Sequence, residues 1–193
     1  MARTKEFDRD EVLTKAAQTF LCYGYEGTSM QTLVSTMGIN RGSLYDTFGD
    51  KRSLFLAAIA HYEETIVKNT VACLITTNAN KQTIVDLFHN LVVAMAQEEN
   101  CYGCLMTNTA VELCPHDAEA KARINTHFNQ MVRAFKHALT NAQAQGEIKS
   151  DRNLEAMAQY LTSNLQGLRV MGKVNRQRKT LDNIVDVILS VLN

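Results

Sequence analysis

Proline is nearly absent from the sequence, with Pro115 as its one occurrence, and no strand-like alternation lies between clusters of Gly or Pro. No uncharged apolar run approaches the ~18 residues of a membrane span. The first ten residues, MARTKEFDRD, contain no apolar core of a signal peptide. These absences predict a cytoplasmic, all-α protein.

Net charge is also lacking, because 20 Lys and Arg balance 20 Asp and Glu. The chain therefore has no global field that would attract a polyanion, and any nucleic-acid contact has to be local. Its five cysteines are an odd number without an export signal, which favours reduced thiols over a disulfide framework. With 193 residues, 46% of them hydrophobic, the chain can bury one or two cores.

Apolar residues at helical spacing predict about nine helices. The first three are short and span about residues 9 to 23, 28 to 38 and 40 to 48. Thr28 and Gln31 resemble a capping box for the second, while Asn40 and Asp50 are typical N-caps for the third and fourth. The fourth extends to about residue 77. The later helices carry the apolar positions Ile84 to Met95, a short segment near 104 to 113, Ile124 to Leu139, Leu154 to Leu168, and Leu181 to Leu192.

The second and third helices are joined by Gly38, Ile39 and Asn40, a tight turn typical of a helix-turn-helix. That motif places its second helix in the major groove of DNA. Gly42, in the first turn of this helix, costs roughly 1 kcal/mol relative to Ala. A missing side chain at a helix N-terminus lets backbone N–H groups approach a phosphate or a base edge, which gives the glycine a function.

The neighbouring residue types fit DNA recognition. Arg41 offers a bidentate donor for a guanine edge, while Ser43 and Tyr45 offer hydroxyls for phosphates. Leu44 and Phe48 are expected to face inward. The alternative is a helix-turn-helix without DNA contact, in which Lys51 and Arg52 form only a solvated face at the start of the fourth helix. The expected contacts are Arg3, Lys5, Thr28, Ser29, Arg41, Gly42, Ser43, Tyr45 and Lys51.

The stretch GYEGTSMQTLVSTMGINRGSLYDTFGDKRSLF resembles the DNA-binding domain of TetR-family transcriptional regulators, and the resemblance covers about residues 6 to 66. Two departures affect the operator sequence. Residues 34–37 (VSTM) replace the usual Ile-Ala-x-x-Ala, and Asp46 replaces a frequent His or Tyr. The positions that carry the resemblance are Tyr23-Gly24, Thr28-Ser29, Gly38-Ile39, Gly42-Ser43-Leu44-Tyr45, Phe48 and Lys51.

The resemblance implies a DNA-binding domain over residues 6–66, with the helix-turn-helix at about 29–48, and a ligand-binding and dimerisation domain over residues 67–193. It implies that the protein is a homodimeric repressor and not an enzyme. Such a repressor needs no cofactor, no metal ion and no membrane. A small molecule, or oxidation or electrophile modification of a cysteine, would release it from a palindromic operator. The apolar stripes of the last two helices are dense enough to support an intersubunit four-helix bundle, with an intramolecular core as the alternative.

The segment from Glu99 to Asp117 is where chemical sensing is expected. Cys104 is the candidate sensor, with Cys101 one turn away as its resolving partner and with Cys22 and Cys73 as bystanders. The alternatives are simple core packing of Cys104 and a helical thiol-redox protein or enzyme that uses Cys101 and Cys104. A zinc site with Cys114 is disfavoured, because the helix would separate the backbones of Cys104 and Cys114 by roughly 15 Å.

Polar residues on otherwise apolar helical faces mark a further effector site. Asn108, His127 and Arg169 are the polar candidates, although a lone histidine on such a face is more often a satisfied core residue. Aromatic and methionine side chains would form the walls of the pocket. These candidate walls are Tyr102, Phe128 and Met131.

Overall fold

A computed structural model describes residues 7–96 and 103–193, and within these ranges the chain forms nine helices and no strand. Helix α4 is continuous but changes type, from α-helical Lys51–Tyr62 through a π-helical turn, Glu63–Val67, to α-helical Lys68–Leu74. None of the described helices combines the length and apolarity needed to cross a membrane. The other helices are α1 (Arg9–Tyr23), α2 (Met30–Met37), α3 (Arg41–Phe48), α5 (Lys81–Met95), α6 (Leu105–Glu112), α7 (Ala118–Ala144), α8 (Leu154–Val174) and α9 (Arg178–Leu189), which a 3-10 turn (Ser190–Leu192) follows.

Helix α1 lies against α2 and the first part of α4, and α3 packs against α4. Their core contains Phe20 and Phe55, whose rings meet edge to face with centroids 4.9 Å apart. Leu33 of α2 and Leu44 of α3 are fully buried beside them. Burying one such side chain contributes roughly 1.5–3 kcal/mol, so this small core fixes α3 on its support.

Side-chain caps start these helices. Asn40 and Asp50 cap α3 and α4, as the sequence predicts, by accepting hydrogen bonds from the backbone N–H groups of Ser43 (2.8 Å) and Ser53 (2.7 Å). The capping box predicted for α2 is wrong. Ser29, not Thr28, is the N-cap, since its hydroxyl accepts from the Thr32 N–H at 3.0 Å.

The longer helices form a second core. Helix α7 packs along α8, α9 lies against α5, and the last part of α4 contacts α7. The rings of Phe88 and Phe135 stack there with centroids 6.2 Å apart. The arrangement of short helices followed by a larger helical bundle therefore agrees with the predicted all-α fold.

The apolar stripes predicted to pair between subunits are buried within one chain. Leu161 and Leu165 of α8, and Leu181 and Val185 of α9, are fully buried in the core of a single chain. The alternative of an intramolecular core is thus correct for these stripes, because α9 covers α5 and one side of α8. Any dimer through these helices has to use other side chains.

Candidate functional site

Helix α3 presents one polar face to solvent. Leu44 and Phe48 anchor its other face in the core, whereas Tyr45 is 41% exposed and Arg41 is exposed. The Arg41 guanidinium carbon lies 5.7 Å from the centroid of the Tyr45 ring. A guanidinium over an aromatic face is held by a cation–π attraction, which orders Arg41 before any ligand arrives.

Gly42 is exposed, and the hydrogen bond at the start of α3 limits what can replace it. A Cβ atom there would lie 3.3 Å from Asn40 Oδ1, the oxygen that caps the helix. A side chain would therefore crowd the cap as well as cover the first-turn N–H groups. Gly38, which ends α2, has a φ of 70° in the left-handed region, and this conformation makes the tight turn into α3.

Thr28 has a different role from the predicted one. Its side chain is fully buried, and its hydroxyl donates to the carbonyl of Gly24 at the end of α1. The prediction that Thr28 contacts DNA is wrong, because its hydroxyl closes the loop between α1 and α2. Ser29 is exposed, although its hydroxyl is also bonded to the Thr32 side chain at 2.8 Å.

Lys51 and Arg52, the two basic residues at the start of α4, make different contacts. The Lys51 ammonium lies 4.4 Å from the centroid of the Tyr25 ring. Arg52 forms ion pairs of 2.9 Å with both Asp117 and Glu119, so it connects the two cores and does not face a phosphate. The expected contacts Arg3 and Lys5 lie outside the described residues.

Helix α6 makes a second connection between the larger domain and the N-terminal helices. The Glu112 carboxylate accepts hydrogen bonds from the backbone N–H groups of Tyr25 (2.8 Å) and Glu26 (2.7 Å), in the loop after α1. Asn108, predicted for the effector pocket, instead donates to the Leu21 carbonyl at 3.1 Å. Both side chains therefore tie the first domain to the second.

Comparison with known proteins decides the family. Residues 12–58 match the family model for bacterial regulatory proteins of the tetR family, and residues 81–188 match the model for the tetracyclin repressor-like C-terminal domain. The chain belongs to the TetR family. It is therefore a DNA-binding transcriptional regulator, and the thiol-redox enzyme considered from the sequence is excluded.

Individual relatives cover nearly all of this TetR-family chain. It is 40% identical to the uncharacterized regulator YezE of Bacillus subtilis, over the full length of both. It is 26% identical to the repressor ComR of Escherichia coli, across 96% of this chain and 87% of ComR. A cysteine mutant of CifR, solved with a 26-bp double-stranded operator, has a similar fold, with a TM-score of 0.86, 28% identity and coverage of 97% of this chain and 98% of CifR.

The larger domain of this TetR-family regulator contains a buried polar cluster. His127 is 2% exposed, and neither its Nε2 atom nor the Nε2 of Gln166 has a hydrogen-bond partner among the described residues. Gln166 Oε1 accepts from Thr107 Oγ1 at 2.8 Å and from Arg169 Nη1 at 3.4 Å. Burial, together with the nearby charge of Arg169, lowers the pKa of His127 to about 4.

Tyr62 and Cys104 complete this cluster. Cys104 is 1% exposed and is the N-cap residue of α6. Burial raises the pKa of the Tyr62 phenol well above its usual value, and Cys104 reinforces the shift. The sequence does not mark Tyr62 as a site residue, because Tyr62 falls on an apolar face of α4.

The remaining effector candidates are scattered. Met131 is a core residue, whereas Phe128 is half-buried and lines a cleft between α7 and α8. Cys101 and Tyr102 lie outside the described residues. Cys22 is disulfide-bonded, so the expectation of a reduced thiol is wrong at this position, whereas its bystander role in sensing stays a prediction.

Proposed function

We propose that the protein is a homodimeric repressor that occupies a palindromic operator and leaves it when a small molecule binds in the larger domain. The exposed polar face of α3, held by buried Leu44 and Phe48, is the observation that carries this proposal. The operator complex of CifR and the repressor ComR support it, because both share this fold or sequence over nearly the whole chain.

The proposed contacts divide into base reading and backbone binding. Arg41 reads a guanine edge, whereas Ser43 and Tyr45 bind phosphates. The N–H groups beside Gly42 approach the duplex closely, since no side chain covers them. Ser29 and Lys51 flank this surface, and the predicted arm of Arg3 and Lys5 follows the duplex.

The proposed dimer uses the outer surfaces of the last two helices. Tyr160, Met171 and Val174 of α8 and Val187 of α9 are large apolar side chains that remain exposed on a single chain. At Gly167, between them on α8, an added Cβ would meet no atom of the chain within 4 Å, so packing within one subunit does not explain the glycine. A close crossing with a second α8 does. Such a dimer places two copies of α3 in successive major grooves, about 34–36 Å apart.

Release follows from a difference in effector affinity between two states of the dimer. In one state the distance between the two α3 helices matches successive major grooves, and in the other it does not. An effector that binds the second state more tightly weakens operator binding. The contacts of Glu112 and Arg52 support this transmission, since both connect the larger domain to the DNA-binding side.

Operator titrations test the proposal. Fluorescence anisotropy with a palindromic duplex selected from a random pool should show binding that weakens steeply with salt, because Lys and Arg release counterions from phosphates. Arg41→Ala should cost about 1–3 kcal/mol and relax specificity at one base pair. Arg133→Ala, on an exposed face of α7, is the matched control. A salt-independent affinity, or equal binding to random duplexes, would refute the proposal.

A second candidate is release by cysteine chemistry. Its support is the disulfide at Cys22, at the end of α1, together with the position of Cys104 at the start of α6. Burial of Cys104 disfavours direct oxidation from solvent but allows a small electrophile that enters the domain to reach the thiol. Operator titrations of Cys22→Ser and Cys104→Ser, with and without oxidant or electrophile, separate the two thiols. Wild-type responses in both variants would exclude this candidate.

A further inference from the structure

Arg169 is a cation without a counter-ion. It is half-buried on α8, and no carboxylate of residues 7–96 or 103–193 lies within ion-pair distance of it. Its one hydrogen bond is the long contact to Gln166 Oε1, at 3.4 Å. Lys173, one turn further along α8, donates instead to Asn108 at the domain junction. A partly desolvated guanidinium that lacks an anion is costly, which suggests that a ligand supplies one.

Two buried polar groups without a hydrogen-bond partner lie near this cation. Gln166 lies three residues before Arg169 on the same face of α8, and its Nε2 group is buried without an acceptor. Because Gln166 Oε1 already accepts two hydrogen bonds, the amide orientation is fixed and Nε2 remains the donor. His127 Nε2 is also buried and has no partner among the described residues, and the charge of Arg169 contributes to the lowered pKa of His127. Buried polar groups are costly to leave unpaired, so this part of α8 is poorly satisfied by the described residues alone.

Arg169 also borders a cleft. Leu87 and Leu91 of α5 and Leu165 of α8 form the apolar walls, and the cavity volume is about 310 Å³. Asn69 and Asn90 supply polar groups at its edge. The cleft therefore joins an apolar surface to one cationic end, and its volume lies at the lower limit of the usual range for small-molecule sites.

We propose that the effector of this regulator is a small organic carboxylate, with its carboxylate bound by Arg169 and its hydrocarbon body against Leu87, Leu91 and Leu165. This inference rests on the proposed function, in which the larger domain binds the releasing molecule. It adds the chemical class of that molecule and the residues that select it.

The charge count favours a monoanion. Burial holds the pKa of His127 at about 4 and raises that of Tyr62, so both side chains are neutral at neutral pH. Among the described residues that line the cleft, Arg169 is then the one that carries a charge. A monocarboxylate balances that charge, whereas a phosphate dianion leaves one negative charge uncompensated.

The test separates ligand binding from DNA release. Thermal melts and calorimetric titrations of the full-length, DNA-free protein use butyrate, hexanoate, octanoate and benzoate, with hexanamide and benzamide as uncharged controls. At least one carboxylate should raise the Tm of the wild type, while its amide should not. Arg169→Gln should weaken that binding on the order of 10- to 100-fold, and Arg169→Lys should retain part of it. Arg133→Gln is the matched control for loss of a positive charge.

The outcomes are distinct for the two proposals. Equal binding of an acid and its amide, unchanged binding by Arg169→Gln in a protein of wild-type fold, or no binding by any of the carboxylates would overturn the carboxylate site. Carboxylate binding that leaves the operator complex intact would uphold the site and refute its role in release. A protein that binds no operator at all would refute the proposed function, while the DNA-free titrations still decide the site.

Discussion

Removal of the Glu112 carboxylate should uncouple the two domains. Its two oxygens accept hydrogen bonds from the Tyr25 and Glu26 N–H groups, at 2.8 and 2.7 Å. A hydrogen bond to a charged group contributes about 1.5–3 kcal/mol, but Glu112 is half-exposed and water competes for both donors. We therefore expect Glu112→Ala to lower the free energy of unfolding by about 2 kcal/mol. For a protein of this size the Tm should fall by about 4–8 °C.

Glu112→Gln gives the sharper test of this geometry. One oxygen becomes an NH₂ group, which would face a backbone N–H and repel it, so Gln should be no better than Ala. Glu64→Ala is the control, because Glu64 forms only an exposed ion pair with Lys68 and should cost less than about 0.5 kcal/mol.

The assay for Glu112 combines denaturant unfolding with operator titrations in the absence and presence of a releasing molecule. Both variants should still bind the operator, but the effector should weaken their binding less than that of the wild type. Wild-type stability of Glu112→Gln would show that the paired acceptor geometry is unimportant. Full effector response in both variants would refute the transmission through α6.

Three further substitutions test other parts of the structure. Gly42→Glu should abolish specific operator binding in anisotropy assays, yet change the free energy of unfolding by less than about 1 kcal/mol, because the gain in helix propensity offsets crowding of the cap. Gly167→Arg should shift the protein from dimer to monomer in analytical ultracentrifugation without loss of helical circular dichroism; an intact dimer would exclude the proposed crossing. His127 has a pKa of about 4 when folded and 6.5 in the reference state, so the unfolded chain binds its proton first. Wild-type stability should therefore fall by at most about 3 kcal/mol from pH 6.5 to pH 4, and His127→Gln should lack this component.

Local physics explains what the sequence predicts well. The caps Asn40 and Asp50 act on N–H groups three residues away, and the burial of Leu44 and Phe48 follows from helical spacing. These features need no knowledge of distant residues. The nine helices and the outer face of α3 could therefore be predicted.

Contacts that depend on the course of the folded chain explain what the sequence does not predict. Thr28 has the side chain of a helix cap, but its hydroxyl donates to the carbonyl of Gly24, because the loop after α1 turns back on itself. Arg52 has the side chain of a phosphate ligand, yet its carboxylate partners are 65 and 67 residues away. Glu112 gives no local signal, because its acceptor role depends on a loop 86 and 87 residues earlier. His127 could be found, since a polar residue on an apolar face is visible in the periodicity.

The π-helical turn within α4 constrains how this protein can be recombined with its relatives. A π turn holds one residue more than an α turn, and one residue corresponds to a rotation of about 100° around a helix axis. Deleting one residue from Glu63–Val67 would let this segment close as an ordinary α turn, so the two halves of α4 would keep their relative rotation and Arg52 could still meet Asp117. The same deletion in the α-helical part on either side of the turn would rotate one half of α4 against the other by about 100°. A chimera that fuses this DNA-binding domain to another ligand domain can therefore lose one residue within the turn, but should preserve the residue count in the rest of α4.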